Sequence, residues 1–187
     1  MVDIVEKNNP ILRAIAKEVA LEDISSPKIQ KVLADMKAAL ASQDDGVAIA
    51  APQIGVSLRI FVVSGKVIGY MKGDEDEKHT YPDIIYINPV ITKRSKEKKN
   101  MEEGCLSVRY LYGKVSRSAK VQIEGYDERG NFFNRGGAGL MSQIFQHETD
   151  HLDGILFIDN ATDVEDIPPE KVAGRSRVKK KIQNKEL

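Results

Sequence analysis

The segment His147-Glu148-Thr149-Asp150-His151 constrains the fold more than any other part of this sequence. Two histidines four positions apart project from one face of an α-helix, where both can bind a single metal ion, and the intervening glutamate lies beside that site. Apolar residues with helical spacing precede the motif at Leu140 and Ile144. The segment therefore predicts a helix over about 139–152 that carries a metal site.

A second helix and a group of strands precede this segment. Ser26-Pro27 is typical of a helix start, and apolar residues with helical spacing follow it to about Ala41. Between the two helices the sequence predicts a polar loop over 64–82 and strands over 58–63, 84–91, 121–126 and 132–133. Strands that cluster between helices favour an α+β fold, with antiparallel strands around a central metal-binding helix.

Composition and charge exclude several classes of protein. With 41% hydrophobic and 30% charged residues over 187 positions, the chain suits one ordinary globular domain. Its 28 Lys and Arg residues balance its 28 Asp and Glu residues, so no overall charge attracts nucleic acid or an anionic membrane. The N-terminus has no signal-peptide pattern and no segment reaches the roughly 18 apolar residues of a membrane span. We therefore expect a cytoplasmic protein that has no membrane partner.

The two histidines leave a catalytic metal one protein ligand short, because such sites usually have three protein ligands and one open position. The only cysteine, Cys105, is one candidate, since a thiolate binds zinc or ferrous iron strongly. The other candidates are the acidic residues after the motif: Asp153, Asp159, Asp163 and Glu165. From these residues alone the third ligand stays open.

Three segments together resemble the signature motifs of the peptide deformylases. In chain order they are Gly46-Val47-Ala48-Ile49-Ala50-Ala51-Pro52-Gln53, Glu103-Gly104-Cys105-Leu106-Ser107 and Gln146-His147-Glu148-Thr149-Asp150-His151-Leu152-Asp153-Gly154. The likeness extends from about Pro10 to about Asp159. It implies a deformylase-like fold, a single catalytic domain over 1–165 and a basic C-terminal tail over 166–187, for which a helix is one option.

The resemblance also implies a reaction. This reaction is the hydrolytic removal of the formyl group from the N-terminal methionine of nascent polypeptides, at one divalent metal ion per chain. The metal ligands would be Cys105, His147 and His151, and the ion would be Fe²⁺ in the cell, with Zn²⁺, Ni²⁺ or Co²⁺ able to replace it. A metal-bound water would attack the formyl carbon, with Glu148 as the general base.

Further residues receive roles through the same resemblance. The side-chain amide of Gln53 and the backbone N–H of Leu106 would stabilise the charge that develops on the formyl oxygen. The substrate would add to the first motif as a β-strand. The residues that would bind the peptide and its methionine side chain are Gly46, Val47, Ala48, Leu140 and Ile144. For Val47, Leu140 and Ile144, packing in the hydrophobic core without a binding role is an equal alternative.

Two positions depart from the deformylase pattern. Ala48 stands where the first motif usually has a second glycine, which is harmless if the backbone φ of this residue is negative. Arg109 stands where a proline usually follows the second motif. We expect that Arg109 or Tyr110 reshapes the lip of the site and changes the preference for peptide residues beyond methionine.

The C-terminal stretch from Lys171 to Lys185 is strongly basic. Because some of the deformylases that the chain resembles dock on the ribosome through a C-terminal helix, the resemblance implies a salt-sensitive contact with ribosomal RNA here; a solvated tail is the alternative. We expect the protein to be a monomer.

Two other functions are alternatives to the deformylase prediction. One is a zinc endopeptidase of the H-E-x-x-H type, which would not need Cys105, and the other is a non-catalytic deformylase homologue.

Overall fold

The computed structural model describes residues 2–74 and 81–167, which form two antiparallel sheets, three α-helices and four short 3₁₀ helices. In chain order the elements are α1 (Pro27–Ala41), β1 (Ala48–Ala50), β2 (Ile60–Val63), α2 (Gly65–Met71), β3 (Ile84–Arg94), β4 (Lys98–Cys105), β5 (Val108–Ser118), β6 (Lys120–Tyr126), β7 (Phe132–Ala138), α3 (Leu140–Leu152) and β8 (Thr162–Asp166). One sheet has the strand order β1-β2-β3-β6-β7 and the other β4-β5-β8. The α+β prediction is confirmed.

The five-stranded sheet is covered by a helix on each face. Successive side chains of a strand point to opposite faces, and every residue of β2 is apolar and buried. Ile60 and Val62 pack in the cluster that contains α1, whereas Phe61 and Val63 pack in the cluster that contains α3. A strand buried on both faces explains why the sequence shows an unbroken apolar run here.

The first helix begins and ends as the sequence predicts. The hydroxyl of Ser26 accepts a hydrogen bond from the backbone N–H of Ile29 at 3.3 Å, and Pro27 occupies the first turn. The polar loop predicted over 64–82 is wrong for its first part, where α2 forms. Ser64 caps this short helix, and the side chain of Val67 is buried in the core. These two interactions stabilise a helix within a segment whose polar residues predicted a loop.

Strand β3 continues past Pro89 through a bulge. The pairing with β6 shifts register between Ile87 and Val90, and Asn88 has a φ of 49°. The amide of Asn88 donates to the Val19 carbonyl at 2.7 Å and accepts from the Val19 N–H at 2.8 Å, which stabilises the distorted backbone. The strand then extends to Arg94, and a short connection over 95–97 leads to β4 in the other sheet.

Helix α3 is fixed to the junction between the two sheets by buried polar contacts. The amide of Gln146 donates to the carbonyl of Ser118 and accepts from its N–H, both at 3.0 Å. The hydroxyl of Ser142 donates to the same carbonyl at 2.8 Å. Since Ser118 ends β5, these bonds set how far α3 lies from the strands that face it.

A glycine just after α3 allows a close approach of two chain segments. Gly154 has a φ of 75°, and an added Cβ atom would lie 2.7 Å from the carbonyl oxygen of Arg13. We predict that Gly154→Ala lowers the free energy of unfolding by roughly 2–4 kcal/mol, because a left-handed backbone and a steric clash act together. Urea denaturation measures this loss.

Gly130→Ala is the matched control for this prediction. Gly130 has a φ of 79°, but an added Cβ atom would have no neighbour within 4 Å. Only the backbone cost remains there, so we expect a loss of about 1 kcal/mol. Equal losses in the two variants would contradict the importance of the contact between Arg13 and Gly154.

Candidate active site

Three side chains with metal-binding atoms converge where α3 passes the end of β4. The ligand atoms of Cys105, His147 and His151 all lie within 4.8 Å of one another. Sγ of Cys105, the last residue of β4, is 3.2 Å from Nε2 of His151. The two histidines lie one turn apart on α3, with ring centroids separated by 5.0 Å. This is the geometry that a single metal ion requires of three protein ligands.

The acidic residues that follow the histidines lie outside this group. Ion pairs join Asp153 to Arg59 at 2.7 Å and Lys114 to Asp163 at 3.0 Å. Asp159 forms a third pair, with Arg13. Glu165 lies on β8 opposite Tyr112 of β5. The structure thus brings Cys105, and none of the four acidic alternatives, to the two histidines.

The chemistry of the donor set fits a divalent metal ion. Burial opposes ionisation of the Cys105 thiol, but the charge of His151 and a hydrogen bond with His147 outweigh burial and lower its pKa to about 5. Cys105 is therefore a thiolate at neutral pH, which is the form that binds metals. A thiolate with two imidazoles suits zinc, ferrous iron and related ions.

A buried ionic network supports one of the histidines. Arg117 donates to both carboxylate oxygens of Glu103, from Nε at 2.8 Å and from Nη2 at 2.9 Å, and it also contacts Asp150 at 2.5 Å. Glu103 lies 2.9 Å from Nδ1 of His147. Burial alone would raise the pKa of Glu103, but the hydrogen bonds from His147 and Arg117 lower it to about 2.

This network determines which nitrogen of His147 can bind a metal. Because Glu103 is ionised, it only accepts hydrogen bonds, so Nδ1 of His147 donates to it and Nε2 is left to face Cys105. Burial opposes a charge on His147, but its hydrogen bonds with Cys105 and Glu103 raise its pKa, so metal binding at Nε2 would release the proton held there. A carboxylate in this place orients the ring and increases its basicity as a ligand. No sequence pattern indicated a role for Glu103, Arg117 or Asp150. Glu103 lies within the second motif, but no local pattern marks Arg117 as its partner.

Glu148 lies beside the three ligands and faces the same cavity. Its side chain is buried, and Oε2 has no hydrogen-bond partner among the described residues. Burial is the main cause that raises the pKa of this carboxyl above its ordinary value. A carboxylate with a raised pKa and an unpaired oxygen is suited to take a proton from a water or a substrate placed next to it.

The side-chain amide of Gln53 points towards Cys105. Its Oε1 accepts from the Ala50 N–H at 2.8 Å, which fixes the orientation of the amide. The opposite end, Nε2, then donates to Ser107 Oγ at 3.3 Å and to Cys105 Sγ at 3.5 Å. Leu106, in the turn between β4 and β5, lines the same cavity.

One cavity of about 990 Å³ joins these residues to the surface. Edge strand β1 forms one wall and β5 another. The backbone φ of Ala48 is not positive, so its methyl group causes no backbone strain. The cavity includes all five positions expected to bind the peptide: Gly46, Val47, Ala48, Leu140 and Ile144.

A thiolate and two imidazoles on an H-E-x-x-H framework, with a buried carboxylate at the base of an open cavity, define a metal-dependent hydrolase. Comparison with known sequences gives the particular family. The sequence model described as "Polypeptide deformylase" matches residues 1–166, and the chain belongs to this family. The predicted family is therefore confirmed, and the comparisons support neither the endopeptidase nor the non-catalytic alternative.

Curated relatives agree with this assignment. The peptide deformylase of Desulforudis audaxviator is 37% identical over 161 residues, which cover 86% of this chain and 94% of that protein. The chloroplastic/mitochondrial peptide deformylase 1A of Arabidopsis thaliana is 38% identical over 162 residues, covering 84% of this chain. The match spans 60% of the length of that plant protein and 59% of a chloroplastic relative from Solanum lycopersicum.

Solved structures have the same fold. A class I type b peptide deformylase from Acinetobacter baumannii, bound to Met-Ala-Ser, superposes with a TM-score of 0.74 at 29% identity, covering 86% of this chain and 98% of that one. The Thermotoga maritima peptide deformylase gives a TM-score of 0.72 at 31% identity, with coverage of 87% and 98%.

We predict that Glu103→Gln weakens metal binding by about 10–100-fold, since the amide gives His147 a weaker and less well oriented partner. Competition of the purified protein with a chromogenic chelator for Zn²⁺ measures the affinity. Glu97→Gln, at an exposed position just before β4, is the control and should leave the affinity unchanged. Equal affinities for Glu103→Gln and the original protein, with both folded by circular dichroism, would contradict a role for the network in holding His147.

Proposed function

We propose that this chain is an active peptide deformylase that hydrolyses the formyl group from the N-terminal methionine of nascent polypeptides. The observation that carries the proposal is the position of Glu148, buried beside Cys105, His147 and His151 at the base of a cavity that opens to the surface. In the proposal these three residues hold the metal ion. Its role when bound is to acidify a water and polarise the formyl carbonyl.

The chain's own residues move the proton and stabilise the developing charge. Glu148 accepts a proton from the attacking water and returns it to the amine that leaves, a dual role that its raised pKa favours. The N–H of the Gln53 amide and the backbone N–H of Leu106 donate to the formyl oxygen as it becomes negative. One donor of this kind commonly contributes about 10²–10³ in rate.

In this proposal the peptide binds along the edge of the larger sheet that β1 forms. Strand β1 is an edge strand that pairs only with β2 among the described strands, and its other side faces the cavity. A peptide backbone can pair with this edge independently of its side chains, which gives tolerance beyond methionine. The similar Acinetobacter baumannii structure, which holds Met-Ala-Ser, supports a methionine peptide as the ligand of this cavity. Val47, Leu140 and Ile144 provide the apolar surface for the methionine side chain.

The metal and the cellular setting complete the proposal. Fe²⁺ is the metal that we propose for the cell, with Zn²⁺, Ni²⁺ or Co²⁺ as ions that the same ligands accept. We propose a monomer that acts in the cytoplasm. Among the helices of residues 2–74 and 81–167, none combines the length and the apolarity that a membrane crossing needs.

The last part of the chain has a separate proposed role. Residues 1–165 form the catalytic domain in this proposal, and the basic tail over 166–187 contacts ribosomal RNA. Residues 168–187 lie outside the part that the structure describes, and their basic charge supports this contact. Contacts with phosphates depend strongly on salt.

Removal of the tail tests this contact. We predict that a chain ending at Pro169 loses co-sedimentation with ribosomes at low salt, whereas the complete chain co-sediments at low salt and is released at high salt. Formate release by the shortened chain serves as the control for folding. Unchanged co-sedimentation of the shortened chain would exclude the tail as the contact.

Glu148 provides the direct test of the reaction. We predict that Glu148→Ala lowers the rate of formate release from formyl-Met-Ala-Ser by about 10²–10⁴-fold, because no other group in the proposal takes the proton. The protein is purified without oxygen and loaded with Fe²⁺, and its metal content is measured alongside. Glu22→Ala, at an exposed acidic position, should keep full activity. Full activity in Glu148→Ala would contradict the proposed base.

A further inference from the structure

An ion pair crosses the mouth of the cavity that contains the proposed catalytic residues. Nη1 of Arg109 donates to both carboxylate oxygens of Asp45, at 3.2 and 3.0 Å. Nη2 of the same guanidinium donates to the side-chain oxygen of Gln43. Arg109 and Asp45 both line the cavity, together with Glu148 and Cys105 at its base.

The two partners belong to opposite walls of the cavity. Asp45 lies three residues before the start of the edge strand β1, along which the peptide is proposed to lie. Arg109 lies in β5, three residues after Leu106, on the wall that carries the second motif. A peptide that enters the cavity and extends beyond its methionine therefore passes between the segments that this ion pair connects.

The backbone next to Arg109 is held in a costly conformation. Tyr110 has a φ of 68°, in the left-handed region that non-glycine residues rarely occupy. Its carbonyl accepts a hydrogen bond from the N–H of Ile167 at 2.8 Å, which fixes this strand from the side opposite to its pairing with β4. Backbone strain of this kind persists where the surroundings impose it, and it is frequent at ligand sites.

The exposure of this ion pair and the size of the cavity also indicate that the pair has a role in binding rather than in stability. The side chains of Arg109 and Asp45 are 35% and 48% exposed, and ion pairs this exposed add little to stability. The cavity volume of about 990 Å³ lies at the upper end of the roughly 300–1,000 Å³ of sites that enclose drug-sized ligands. It therefore has room for residues beyond the formyl-methionine.

We propose that the Arg109–Asp45 ion pair determines how the enzyme responds to charge in the peptide residues that follow formyl-methionine. The inference rests on the proposed deformylase function. While the pair is intact its charges cancel, and the exposed charged residues that β4 adds to the cavity lining, Lys99 and Glu102, also have opposite signs. Peptides with acidic and basic side chains are then accepted alike. Each partner alone selects peptide residues of the opposite charge.

Two near-isosteric variants test the proposal with opposite expected results. The measurement is kcat/KM for formyl-Met-Ala-X and formyl-Met-X-Ala amides, in which X is Glu, Gln or Lys. The original enzyme should treat Glu and Lys peptides within about twofold of each other. Asp45→Asn should favour Glu over Lys by roughly three- to tenfold, and Arg109→Gln should favour Lys over Glu by a similar factor, because one unit charge remains unpaired near the substrate.

Several controls separate this role from a structural one. The double variant Asp45→Asn, Arg109→Gln should lose the charge preference, and 0.5 M salt should reduce the preference of each single variant. A general loosening of the site would instead lower kcat/KM for all peptides equally. Lys31→Gln and Asp35→Asn remove a comparable exposed ion pair on α1 that does not line the cavity, and they should leave the preference unchanged.

The outcomes distinguish this inference from the proposed function. No formate release by the metal-loaded original protein would overturn the deformylase proposal and this inference with it. An active original enzyme whose Asp45→Asn and Arg109→Gln variants keep the same Glu-to-Lys ratio would overturn the ion-pair proposal alone. Opposite shifts in the two variants would support it.

Discussion

A buried thiolate and two imidazoles have to be brought together at one point, and this requirement governs the rest of the structure. Charge in a buried site is costly unless it is paired, and the network of Arg117, Glu103 and His147 provides the pairing. The lowered pKa of Glu103 means that its stabilising effect is present at neutral pH. That effect is lost as the pH falls from the ordinary value of 4.5 towards about 2.

Each of the two sheets positions different residues of the site. Strand β4 of the smaller sheet delivers Cys105 and Glu103, while α3, packed on the larger sheet, delivers the histidines and Glu148. Gln146 fixes the distance between α3 and the end of β5. The cavity then lies between the edge of one sheet and the hairpin of the other, so the peptide that is proposed to pair with β1 would lie beside the proposed metal ligands.

Local patterns predicted the elements that depend on neighbouring residues, and they missed those that depend on distant ones. The spacing of the histidines predicted α3, and Ser26 with Pro27 predicted α1. Helix α2 was missed because its stability comes from Val67 in the core. The buried ion pair of Glu103 and Arg117 was missed because β4 and β5 bring the two residues together, and no pattern along the chain records which arginine completes the pair. Likewise, Arg109 was noted as a departure from the family pattern, but its partner Asp45 becomes evident only when both walls of the cavity are present.

The most direct test of the central claim is the electronic absorption spectrum of the Co²⁺-loaded protein, recorded together with its metal content. Because Cys105 is the only cysteine, a thiolate-to-cobalt charge-transfer band can arise from this residue alone. We expect one cobalt ion per chain, a charge-transfer band that disappears in Cys105→Ser, and loss of cobalt in His151→Ala. A band that persists in Cys105→Ser, or a folded protein that binds no cobalt, would contradict the claim that Cys105, His147 and His151 form one metal site.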